Sequence, residues 1–166
     1  RDMRRQHQTA RARTLSQSRA GRYDYSEFRG LVILVEYNDC PFRYDDYADI
    51  MEEMINADDY TGTSRTNFNN GGQVRCTGSL RDYYRDNSDG QFVPTFDVVG
   101  PVQVNRSQYY VEGTQNAVQL LIDACTAADE RVNFKDYDVD GNGVVDVIYF
   151  VFSGLGAYID GNDSRL

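Results

Sequence analysis

The sequence predicts an α/β (α+β) protein, a mixed β-sheet with helices packed on it. Three observations predict this. Two continuous apolar runs, Leu31–Val35 and Val147–Phe152, lack polar alternation and read as strands covered on both faces. Three segments between them carry apolar residues at helical spacing. The order strand, helix, loop, helix, strand ribbon, helix, strand interleaves the two element types.

Residues 1–27 open on a polar, Arg-rich stretch and are expected to be a flexible arm or the remnant of a pro-segment, with the folded part spanning 28–166. A basic patch for an acidic partner is the sharper alternative. The first strand falls in Phe28–Tyr37 and is stopped by Asn38-Asp39-Cys40-Pro41, because Pro cannot continue a ladder. Tyr44–Ala57 reads as a helix with Tyr47, Ile50, Met51, Met54 and Ile55 inward, and residues 58–75 as a long surface loop with a turn at Asn69-Asn70-Gly71-Gly72.

A second helix covers Ser79–Asn87. Ser79 and Asp82 have capping-box spacing; Leu80, Tyr83 and Tyr84 are expected inside, with Asp82 among the outer residues. Phe92–Val104 is strand-like but carries Pro94 and Pro101, which sends it to a sheet edge. Gln115–Glu130 is the third helix, with Thr114 as its cap and Val118, Leu121, Ile122, Cys125 and Ala128 as its buried stripe. Val147–Phe152 is expected as a buried strand.

Between the third helix and the last strand stands Asp138-Val139-Asp140-Gly141-Asn142-Gly143-Val144-Val145-Asp146. Oxygen side chains fall at relative positions 1, 3, 5 and 9, with Gly at 6 and an aliphatic residue at 8. This is most of an EF-hand loop, in which alternate hard oxygens on a tight Gly turn wrap a calcium ion. Asp138, Asp140 and Asn142 are the expected side-chain ligands, with the Val144 carbonyl and a direct or water-bridged Asp146 carboxylate. Tyr149 replaces the bidentate Glu of position 12, so a substitute ligand is required, Asp136 being one option. Fewer charged ligands imply an affinity of roughly 10⁻⁴–10⁻³ M. The bland reading is a solvated acidic turn.

Composition excludes several functions. At 166 residues the chain fits one domain. A net charge of −9 argues against nucleic acid as a partner. Residues 1–22 carry seven Arg and one Asp, a net of +6, leaving −15 on the rest. No apolar run is long enough for a transmembrane segment. The chain begins without Met or a signal peptide, as a mature or trimmed form would. Cys125 is expected in the core. Cys40 and Cys76 fall in loops, where a disulfide in an oxidising compartment and two separate thiols both stay open. The single histidine, His7, lies in the polar arm. A Ser-His or Cys-His nucleophile system and an H-E-x-x-H zinc site therefore cannot be built from these residues.

Four segments, RGLVILVEYND (29–39), GSLRDYYRDNSDGQF (78–92), FDVVGP (96–101) and YDVDGNGVVDVIYFVFSG (137–154), together resemble the secreted zinc metallopeptidases related to immune inhibitor A. The second is the most specific. The resemblance implies the upper, N-terminal subdomain of a zincin fold, a secreted or cell-surface location, a protein or peptide substrate, and the remainder of the peptidase domain as a partner. In that family zinc is held by an H-E-x-x-H helix whose Glu is the general base for metal-bound water. That helix follows the segment matching Val147–Gly154, and no position here matches it. No catalytic or zinc-binding residue carries over, and a fragment, a cleaved chain and a degenerate member all remain open. Alone, such a chain is expected to be inactive. The alternative is a calcium-stabilised binding module for peptide or carbohydrate, with Tyr83, Tyr84, Tyr109 and Tyr110 as contacts.

Overall fold

A computed structural model describes residues 28–63, 76–105, 110–111 and 114–154. The expected arm at 1–27 and the turn at 69–72 lie outside the described residues. The elements are β1 (Arg29–Tyr37), α1 (Tyr47–Asn56), α2 (Leu80–Asn87), β2 (Thr95–Val104), β3 (Tyr110–Val111), β4 (Thr114–Gln115), α3 (Ala117–Ala128), a 3₁₀ turn (Phe134–Tyr137) and β5 (Ile148–Phe152). The protein is thus α/β (α+β), as the sequence predicts. Among the described residues its three-stranded sheet, in the order β2-β1-β5, is wholly parallel where a mixed one was expected, and the small antiparallel β3-β4 hairpin is a separate pair.

β1 is central because both of its faces are apolar. Leu31, Ile33, Val35 and Tyr37 point to one side, where they meet Val102, Val104, Leu120, Ala124, Ala128, Val132 and Tyr137. Val32 and Leu34 point to the other, where Phe28, Met51, Ile55 and Phe96 meet them. Helices therefore cover both faces, the arrangement a parallel sheet needs. Leu31 to Val35 are at most 1% exposed, and each such side chain contributes about 1.5–3 kcal/mol on burial.

β2 is an edge strand, as Pro101 requires. The register against β1 advances from Ile33↔Val99 to Val35↔Val102, so β2 holds one extra residue at Gly100-Pro101. Gly100 has φ +118, and a Cβ there would stand 2.6 Å from the Leu34 carbonyl oxygen, so a side chain does not fit. The outer edge of β2 is also occupied. Asn56, at the end of α1, donates from Nδ2 to the Phe96 carbonyl at 2.7 Å and accepts from the Phe96 N–H at 3.0 Å.

Several sequence expectations are corrected. Thr114 lies in β4, and the cap of α3 is Asn116, whose side chain accepts from the Gln119 N–H at 3.1 Å. The buried face of α3 is Leu120, Ala124 and Ala128, while Val118 and Ile122 are 70% and 51% exposed. Small alanines let the helix lie close to β2 and β1, which turns the bulkier stripe outward. In α2 the capping box forms as expected, but Asp82 is buried and Tyr83 exposed. β5 is half-buried at every position because it forms the other edge of the sheet. Cys40 and Cys125 are free thiols, so no Cys40–Cys76 disulfide forms, and Cys125 sits half-buried against the core.

Candidate metal centre

The acidic loop is held at both ends by the sheet. Upstream, the 3₁₀ turn places Tyr137 in the core, and its hydroxyl donates to Asp97 of β2 at 2.7 Å. Arg29 of β1 pairs with the same carboxylate at 2.6 Å and lies over the Tyr137 ring, 5.5 Å from its centre. Burial, then the bond to Asp97, pushes the Tyr137 phenol up to about 12. Downstream, the Leu31 N–H donates to the Val147 carbonyl at 3.2 Å, which starts the β1-β5 ladder. The Asp146 N–H donates to the Tyr137 carbonyl at 3.0 Å and closes the loop on itself.

Inside that frame the side-chain oxygens turn inward. Asp138 accepts from the Asn142 N–H at 2.9 Å and the Gly143 N–H at 2.7 Å. Asn142 accepts from the Val144 N–H at 2.8 Å, and Asp146 from the Val139 N–H at 2.8 Å. Gly141 and Gly143 take φ +70 and +87, conformations that suit glycine and let the backbone wind this tightly. One carboxylate oxygen from each of Asp138, Asp140 and Asp146 lies within 4.8 Å of the other two.

The loop thus brings together three of the sequence-predicted ligands at one point. Asn142 lies beside them, its amide donating to Asp140 at 2.9 Å. Val144 stands at the exposed tip, while Val145 packs against the core. Three carboxylates this close could hold a metal ion. Asp136 accepts from the Asn133 side chain at 2.8 Å and is not part of the cluster. Tyr149, at the position of the missing Glu, sits in β5, and its hydroxyl shares a 2.7 Å hydrogen bond with that of Tyr84. The chain's one histidine, His7, lies outside the described residues.

Sequence reasoning missed the Arg29–Asp97–Tyr137 link. Its members are far apart in the chain and carry no motif. It also missed a second polar centre. Asp82 accepts from the N–H groups of Ser79, Tyr60 and Asp59 at 2.8, 2.9 and 2.9 Å, and pairs with Arg85 at 3.0 Å. Burial alone would raise its pKa. The three N–H donors and Arg85 outweigh that and hold the carboxyl at about 2. Asp82 lines an open depression of about 210 Å³ with Tyr60, Thr77 and Arg85. Because its oxygens are already engaged, its work is to tie the 58–60 turn to α2.

The candidate tyrosines divide. Tyr83 is exposed, whereas Tyr84 packs inward against Phe92 and Phe96. Tyr109 and the side chain of Tyr110 lie outside the described residues. Among the described residues, no helix is long and apolar enough to cross a membrane. Comparison with known proteins found no matching family model and no matching curated protein.

Proposed function

We propose that this chain is the N-terminal part of a secreted zinc endopeptidase, contributing the sheet-and-helix subdomain, with a structural calcium ion in the Asp138–Asp146 loop. No position of the sequence matches the family's zinc ligands or its general base, so the chain's part is architectural. The observation that carries the reading is where the four family-like segments fall. They form β1, α2, much of β2, and the acidic loop with β5, and so supply all three strands of the sheet. A second observation agrees with it. β1 hydrogen-bonds to Val147 and Ser153, and in that register Ile148, Phe150 and Phe152 turn their backbone groups to the outer edge of β5. No described strand pairs there. The edge has no Pro and no charge, unlike β2, and further polypeptide would complete it.

The test compares residues 1–166 with the polypeptide encoded by the longer natural reading frame, assayed for cleavage of an unfolded protein with and without zinc. The longer form, carrying H-E-x-x-H, should cleave in a zinc-dependent way, and residues 1–166 should not. A stop codon or an unrelated domain after Leu166 would overturn the reading in favour of a calcium-stabilised binding module. The exposed ring of Tyr83 is the observation that favours that second reading.

A further inference from the structure

We draw no further inference here: the strongest candidate, the exposed apolar patch that Val118, Leu121 and Ile122 make along the outer face of α3, is an unpartnered helix surface, and nothing in the structure shows what covers it.

Discussion

Replacing Asp82 by Ala removes the side chain that joins the 58–60 turn to the first turn of α2. Asp82 is 2% exposed, accepts three backbone N–H bonds, and pairs with Arg85 at 3.0 Å. Hydrogen bonds to a charged group contribute about 1.5–3 kcal/mol each, and bonds that share one acceptor do not add. Arg85 is partly exposed and also pairs with Asp59 and Asp86, so its charge is not stranded and the ion pair itself adds little. The upper end of one charged hydrogen bond, about 3 kcal/mol, sets the expected loss. A loss of about 3 kcal/mol lowers the midpoint of a chain this size by roughly 6–12 °C. Thermal unfolding followed by circular dichroism at pH 7 reads this directly.

The same pair of proteins gives a pH signature. The folded pKa of Asp82 is depressed to about 2, so the stability it brings is present above its ordinary value near 3.8 and is lost as pH falls through the folded value. The gap between wild type and Asp82→Ala should hold from pH 7 to about 5 and shrink between about 4 and 2. A variant that melts within a degree of wild type at pH 7, or a gap that does not shrink in acid, would refute the reasoning.

Two further predictions concern the sheet and the anchor of the loop. Gly30→Ala places a Cβ 2.5 Å from the ring of Phe96, which is 2% exposed and packed among Phe28, Tyr84 and Tyr149. Overpacking should lower stability by about 1–3 kcal/mol, seen as a lower urea midpoint at unchanged slope, and a wild-type midpoint would show that the ring has room to move. Tyr137→Phe should cost about 1 kcal/mol at neutral pH, read from urea unfolding. It should also remove a late phase of the alkaline phenol titration, near 12. Because that folded pKa is raised, the stability it brings is present below about pH 10 and lost as pH rises through 12. Retention of the late phase in the variant would assign it to another tyrosine.

What the sequence revealed, and what it hid, follows from the kind of signal each element carries. β1 was legible because a run that is apolar at every position calls for a sheet covered on both faces. The edge position of β2 was legible because Pro101 cannot donate to a ladder. β5 has the same kind of run as β1 but lies at an edge, since composition does not say how many neighbours a strand has. The face of α3 was misread in part: Ala128 was expected inside and is, but Val118, Leu121 and Ile122 outweigh Ala124 in any hydropathy pattern, whereas close packing on a sheet selects the small residues. Asp82 was placed correctly at the third position of its helix, but its burial depends on a turn some twenty residues upstream. The convergence of Asp138, Asp140 and Asp146 was legible, because spacing within nine residues is local. The Arg29–Asp97–Tyr137 anchor, made across three elements, left no such local trace.

The measurement that tests the central claim most directly is the unfolding midpoint of this chain in chelator and in 10 mM calcium, with Asp140→Ala beside it. With a dissociation constant of roughly 10⁻⁴–10⁻³ M, that concentration stabilises the native state by about 1.4–2.7 kcal/mol. The midpoint of the wild type should therefore rise by roughly 3–11 °C, and that of Asp140→Ala should stay near its value in chelator. A wild-type midpoint that calcium leaves unmoved, with no heat of binding by calorimetry at the same concentrations, would contradict the account and leave Asp138–Asp146 as an acidic turn.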